Sequence, residues 1–351
     1  MEWKARLKLI QEVGEEIIGE DELIELLKAK KTLSAYDGFE PSGRIHIAQG
    51  LLRTINVNKL TKAGVKFKFW IADWFALMNN KLGGDLEKIK AVGEYFVEVW
   101  KACGMDLKNV EFLWASESMD QNYWLRVLQI GRINSVARIT RCAQIMGRSD
   151  KDSLSAAQIF YPCMQCSDIF ELKVNIAQLG MDQRKVNVLA REVAPKLGLK
   201  KPIAIHHHML MGLTEPKTDA TGVEAAIAKK MSKSNPNSAI FMTDTTDEIK
   251  KKFNKAFCPA GQVEDNPVLE YCKHIIFERI SEFKIERPEK FGGNVSFKSY
   301  KDLEKAFLDG KVHPMDLKNS SAKYIDELLE PVRKHFSKGK PLKMLEKVNS
   351  F

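Results

Sequence analysis

Between Glu20 and Lys31 the run EDELIELLKAKK sets its apolar residues at helical spacing. TLSAYDGF (32–39) then reads as a strand running into a turn. From Ile45 the apolar period is helical again, through IHIAQGLLRTINVNKLTKAG, until Gly64 stops it. VKFKFWIADW (65–74) alternates and then becomes fully apolar, the pattern of a buried parallel strand. A helix is predicted from an N-cap at Asp85 to a stop at Gly104, and VEFLWAS supplies a third strand. Strand and helix alternate through the first 115 residues, which predicts an α/β fold with a Rossmann-like, doubly wound parallel sheet.

Residues 117–155 carry helical patterns without strands and read as a helical insertion. LSAAQIFYPCMQCSDIFEL (154–172) is a helix, apolar on most faces, that crosses the sheet. VNIAQLG and PIAIHHHML are further strands, with a helix between them, and a loop rich in Lys, Thr, Gly and Ser fills 212–239. Within it, 214–229 looks like an extension. After about residue 244 helical patterns dominate. The expected organisation is a helical segment over 1–30, a sheet domain over 31–243, and a mostly α-helical, basic domain over 244–351.

Composition bounds the function. The chain has 351 residues, 44% hydrophobic and 29% charged, which is ordinary for a globular protein with two or three cores. No stretch has the length and apolarity of a membrane span, so no membrane partner is expected, and MEWKARLKLIQE is too polar for a secretory signal. The net charge of +9 suits a polyanionic partner as well as it suits plain solubility. Most of the six cysteines sit in helical or apolar patterns, as buried thiols of a reducing compartment do, which places the chain in the cytoplasm. Cys163 and Cys166 form a CxxC, but no second ligand pair accompanies them, and adjacent His206, His207 and His208 on a strand cannot converge on one ion. No metal site built from the chain's own residues is expected.

Two stretches point to chemistry. AYDGFEPSGRIHIAQG (35–50) lies at the carboxyl end of the first strand, where open parallel sheets bind ligands. Gly38 and Gly43 there let backbone approach a ligand, and a helix N-terminus after His46 offers unpaired amides to a phosphate. A tight turn with a capping histidine gives the same pattern. In AKKMSKSNPN, Lys230 and Lys233 flank Met231 and Ser232 on a polar loop. Such a loop is either a solvated basic segment or a closure over the outer phosphates of ATP.

Taken together and in this order, these stretches resemble the two signatures of the class I aminoacyl-tRNA synthetases. His46-Ile47-Ala48-Gln49 is similar to His-Ile-Gly-His, with Ala48 for Gly and Gln49 for the second His, and residues 230–234 match Lys-Met-Ser-Lys-Ser in full. Gln49 still donates a hydrogen bond but cannot be cationic. The blocks AYDGFEPSG, YPCMQCSD, GMDQRK, FCPAG, RPEKFGG and HPMDLKN narrow the resemblance to the archaeal/eukaryotic tyrosyl members, over about 20–345.

The spacing of Tyr161, Gln165 and Asp168 puts them on one helical face, which is either a core stripe or a polar lining, and Gln and Asp are poor core residues unless bonded. By resemblance, Tyr36 and Asp168 bond the phenolic oxygen of L-tyrosine, while Tyr161, Gln165 and Gln183 hold its ammonium end. Trp70, Ala72 and Phe75 line the aromatic pocket or belong to the sheet core. The resemblance implies that Gly38, Glu40, Gly43, His46, Ala48, Gly180, Asp182, Lys230, Met231, Ser232 and Lys233 bind ATP, with Asp182 on the ribose. His46, Gln49, Lys230 and Lys233, with Mg²⁺, would stabilise the charge of the departing pyrophosphate. For tRNA(Tyr), Arg138, Arg141, Arg184 and Lys185 correspond to the acceptor-stem side, and Phe291, His313 and Asp316 to the anticodon side. The basic helical domain would then bind the anticodon, and the helical insertion would pair two copies as a homodimer. A tryptophanyl synthetase shares fold and signatures, but an indole N–H cannot satisfy Tyr36 and Asp168 as a phenol does. A non-catalytic RNA-binding or signalling protein on the same fold is the reading of another class.

Overall fold

A computed structural model of the chain describes residues 1–351 except 143–145, 147–152, 217, 219 and 232–235, and gives the backbone alone at 223, 226 and 236. Among the described residues the main sheet has six strands in the order β1-β6-β5-β2-β3-β4. These are β1 (Glu16–Ile18), β2 (Leu33–Phe39), β3 (Val65–Ile71), β4 (Val110–Trp114), β5 (Ile176–Gly180) and β6 (Ile203–His207). β2 to β6 pair in parallel, and β1 lies antiparallel along β6. The chain winds outward from β2 through β3 to β4, then returns to β5 on the other flank and winds to β6. The reversal falls between β2 and β5, the place where open sheets of this kind bind ligands.

The period-two pattern of β3 sorts its side chains to two layers. Phe67 and Phe69 are buried on one face, where Phe69 stacks on Trp100 with ring centroids 4.4 Å apart. Trp70 points to the other face, beside Gly38 in register, and packs in the same cluster as Tyr36. The helix Leu86–Ala102 that covers the first face starts at Asp85, whose carboxylate accepts from the amides of Glu87 and Lys88. On the second face the helix Ala156–Glu171 starts with a capping box between Ser155 and Gln158. It buries Tyr161, Gln165 and Asp168 together with its apolar residues.

The N-terminal segment, expected to be helical, has helices Trp3–Gln11 and Glu20–Lys28 but also contributes β1 to the sheet edge. A strand of three residues is too short to show alternation. The helical stretch expected over 117–155 holds helices Gln121–Arg132 and Val136–Thr140 among its described residues. Beyond residue 244 the structure is mostly helical and includes a small antiparallel pair, β7 (Phe283–Ile285) and β8 (Val295–Phe297). One continuous core joins this part to the sheet: Ile45 and Met242 share it with Phe253, Ile276 and Val332. No described helix is long and apolar enough to cross a membrane.

Candidate active site

At the carboxyl ends of β2 and β5 opens a cleft of about 590 Å³. Its walls come from β2, the turn after it, the start of the following helix, the helix Ala156–Glu171, the ends of β5 and β6, and Lys230 with Met231.

One end of the cleft is aromatic and polar at once. The Tyr36 hydroxyl is buried and has no hydrogen-bond partner among the described residues. Asp168, also buried, accepts from the Tyr123 hydroxyl at 2.8 Å. Burial pushes the Asp168 carboxyl well above the usual range, against the Tyr123 hydrogen bond, and it pushes the Tyr36 phenol up as well, aided by the Asp168 charge. Phe75 meets the Tyr161 ring edge-on with centroids 4.8 Å apart, and Trp70 and Ala72 line the same end. The Tyr161 hydroxyl donates to Glu40 at 2.5 Å, which leaves its lone pairs toward the cleft to accept. The Gln165 amide donates to Gln183 at 2.9 Å. A buried hydroxyl without a partner beside a carboxylate fits a ligand hydroxyl, which donates and accepts in one atom.

The other end carries the first signature. His46, Ala48 and Gln49 line it, and the Gln49 Oε1 is buried without a partner among the described residues. The expectation of unpaired amides after His46 is corrected here. The amide of Ile47 donates to the Ile240 carbonyl at 2.8 Å, and those of Gln49 and Gly50 to the His46 carbonyl at 2.9 Å. The helix begins with a π turn over Ala48–Leu52, so side chains face the cleft where free amides were expected. Gly50 permits this close packing, since a Cβ there would lie 2.5 Å from the Met242 Sδ. Gly38 lines the cleft, whereas Gly43 does not; its φ of 102° instead makes the turn before the signature. Gly180 is needed for closeness, because a Cβ would lie 2.6 Å from Asp182 Oδ1. Asp182 accepts from Lys230 at 2.7 Å, which brings the second signature to the end of β5, in the cleft that the first signature also lines. Ser232 and Lys233 lie outside the described residues.

The family of class I tRNA synthetases (W and Y) matches residues 28–330. A cytoplasmic tyrosine–tRNA ligase 1 of Arabidopsis thaliana is 53% identical over 339 residues, covering 95% of this chain and 85% of the relative. The tyrosyl-tRNA synthetase of Pyrococcus horikoshii, solved with L-tyrosine, aligns over 100% of both chains with a TM-score of 0.93 at 40% identity. That of Leishmania major, solved with tyrosinol, has a TM-score of 0.90 at 46% identity, and the chain spans 61% of its length. The chain belongs to the tyrosyl-tRNA synthetases of the archaeal/eukaryotic type.

In this synthetase several polar residues at the cleft escaped the reading of the sequence. Arg53 is buried to 1% exposure, 3.1 Å from Asp37 Oδ2 and 2.8 Å from His207 Nδ1, and it also donates to Gln178. Burial raises the Asp37 carboxyl to about 7, against the pull of the Arg53 guanidinium. A lone Arg in the apolar run GLLRTINV and an Asp inside a strand were the signals available. Tyr123 lies on the helical insertion and gave none. The three adjacent histidines separate as strand geometry requires: His206 reaches Glu16 at 2.8 Å, His207 reaches Arg53, and His208 reaches Glu15 at 2.5 Å.

The residues assigned to tRNA stand outside the cleft lining. Arg138 pairs with Glu192 and Arg184 with Glu16, each at 2.8 Å, while Arg141 is exposed and Lys185 half-buried beside them in the chain. In the C-terminal part Phe291 is 62% exposed, with the Lys290 ammonium 4.9 Å from its ring centroid. His313 caps the helix Pro314–His335 by accepting from the Met315 amide. Arg287 gathers this group, donating to the Gly293 carbonyl at 2.8 Å and lying 3.8 Å from Asp316.

Proposed function

We propose that the cleft joins L-tyrosine to tRNA(Tyr) in two steps at the expense of ATP, the tyrosine–tRNA ligase reaction. The observation that carries this reading is the Tyr36 hydroxyl, buried beside Asp168 at the end of an aromatic pocket without a partner among the described residues. The phenolic oxygen of tyrosine accepts from Tyr36 and donates to Asp168, whose second partner Tyr123 keeps the carboxylate in place. Tyr161, Gln165 and Gln183 accept from the ammonium group, and Glu40 behind Tyr161 orients that acceptor. Asp182, with Gly180 making room, accepts from the ribose of ATP. His46, Gln49, Lys230 and Lys233 face the phosphates. In the first step a tyrosine carboxylate oxygen attacks the α-phosphorus, the bond to the β-phosphate oxygen breaks, and pyrophosphate leaves. Positioning and fixed charge lower the barrier, and no general base is required because the carboxylate is already ionised. In the second step a hydroxyl of the terminal tRNA ribose attacks the tyrosyl carbonyl carbon, and AMP leaves.

Among the described residues no three His, Cys, Asp or Glu side chains gather as a metal cage. Mg²⁺ would bind with the phosphates of ATP and offset their charge, and no step above depends on a protein-held ion. Arg138, Arg141, Arg184 and Lys185 meet the acceptor stem, and Phe291, with His313 and Asp316, stacks on and reads an anticodon base. The compartment is the cytoplasm. A homodimer forms through the helix Gln121–Arg132, whose Trp124, Leu125 and Leu128 are exposed by 38%, 52% and 60%.

The test is exchange of labelled pyrophosphate into ATP with each of the twenty amino acids. Exchange with tyrosine alone supports the reading. Exchange with tryptophan would overturn Tyr36 and Asp168 as phenol partners, and absence of exchange with every amino acid in folded protein would overturn activation itself.

A further inference from the structure

The signature lysine is held in place by groups that are not themselves in the cleft. Residues 229–231 form a short ladder with 210–212: the Gly212 amide donates to the Lys229 carbonyl at 3.1 Å and the Met231 amide to the Leu210 carbonyl at 2.9 Å. Lys229 ends the helix Gly222–Lys229, and the backbone becomes extended at Lys230 (φ −58°, ψ 149°), so the two lysines fall on either side of the helix end. Lys229 points away from the cleft and Lys230 into it, to Asp182. A shift of the chain by one residue would bring Lys229 to the bridge with Met211 that Lys230 now makes.

Both segments of this ladder are fastened to one element of the C-terminal part. The Lys229 ammonium sits between both carboxylate oxygens of Asp265, at 2.7 and 2.6 Å. Glu270 accepts from the Met211 amide, on the opposite segment, at 2.9 Å. The two acids bracket the start of the helix Pro267–Tyr271, which is rigidly seated: Asn266 is 1% exposed and caps the amides of Val268 and Leu269, both buried. Asp265 has a φ of 56°, a conformation that Asp and Asn tolerate better than most residues.

We propose that Asp265 and Glu270 are positioning residues for the activation step, and that Asp265 in particular is a register lock, capturing Lys229 so that Lys230 faces the phosphates. The proposal rests on the assignment of Lys230 to ATP. It makes the helical C-terminal part a determinant of the first half-reaction, which needs no tRNA.

The experiment uses the full chain and pyrophosphate exchange at varied ATP. Asp265→Asn keeps a residue suited to the left-handed backbone and removes the charge. It lowers kcat/KM for ATP about three- to fivefold, the scale of a half-exposed ion pair, while the equilibrium constant for tyrosine binding is unchanged. Lys229→Met gives the same loss, and the two together give no more than either alone. Lys230→Ala lowers exchange on the order of a hundredfold, and Asp265→Asn added to it has no further effect, because the lock acts only through Lys230. Glu270→Gln weakens the opposite fastening and serves as a second variant on the same readouts. Full exchange in Lys230→Ala would overturn the assignment on which the proposal rests. A large loss in Lys230→Ala with unaltered kinetics in Asp265→Asn would overturn the lock alone. A loss in Asp265→Asn that persists in the Lys230→Ala background, or that extends to tyrosine binding, would reduce Asp265 to a structural residue and overturn it as well.

Discussion

At the scale of single residues the site is organised by buried polar atoms. Tyr36 has a buried hydroxyl with no partner among the described residues, a cost that a ligand hydroxyl in the cleft relieves. Tyr36→Phe therefore lowers kcat/KM for tyrosine by about 10- to 100-fold, the scale of one hydrogen bond to a charged or buried partner. The same variant narrows the discrimination against phenylalanine, since one fewer polar group is left unpaired by the wrong substrate. Exchange assays with both amino acids read the two effects; an unchanged ratio between them would remove Tyr36 from substrate selection. Tyr36 was named through the family resemblance, whose block AYDGFEPSG carries it on the first strand. Arg53 was not, because a single charge in an apolar helical run acquires meaning only when Asp37, Gln178 and His207 arrive from three other elements.

At the scale of elements the helix Ala156–Glu171 is the main support of the tyrosine end, and its start is fixed by local chemistry. Ser155 accepts from the Gln158 amide while the Gln158 side chain returns to the Ser155 amide, and Gln158 also reaches Asn79. Ser155→Ala costs about 1 kcal/mol of stability, as loss of an N-cap usually does. A lowered urea midpoint with an unchanged slope checks it. The helix itself was legible from its apolar period, whereas the π turn over Ala48–Leu52 was not. The Leu52 amide closes that turn on the Ile47 carbonyl at 3.0 Å, while the Ile47 amide is held by the carbonyl of Ile240, far along the chain.

At the scale of the whole molecule, His208 links three distant parts. It bonds Glu15 from the N-terminal segment, follows β6, and lies 3.1 Å from Glu270 of the C-terminal part, with the His274 ring stacked on it at 4.1 Å. Burial opposes its charge, but the Glu15 hydrogen bond and the nearby Glu15 and Glu270 carboxylates outweigh burial and raise its imidazole to about 9, while burial, aided by the His208 charge, lowers His274 to about 3. A basic group raised on folding contributes stability that is fully present below its unfolded value of about 6.5 and is lost as pH rises through about 9. Thermal midpoints of the parent chain minus those of His208→Gln should shrink between pH 6.5 and 9.5; a constant difference would show that the charge on His208 contributes nothing. Association belongs to this scale too. For the homodimer proposed above, Leu128→Glu places a charge in the exposed apolar face of the helix Gln121–Arg132 and is expected to convert dimer to monomer in sedimentation, while a dimer that persists would move the contact elsewhere.

What depends on near neighbours was legible along the chain: the strand–helix alternation, the helix start at Asp85, and the two signature stretches with the family they mark. Periodicity and capping act within a few residues, so they can be read along the chain. Which groups meet was settled by packing. It set Tyr123 against Asp168, seated Arg53 on Asp37, added β1 to the sheet edge, and fastened Lys229 to Asp265. Each of these joins residues that are distant in sequence and brought close by packing, and their energies come from burial and charge in a shared low-dielectric space, which no local pattern encodes.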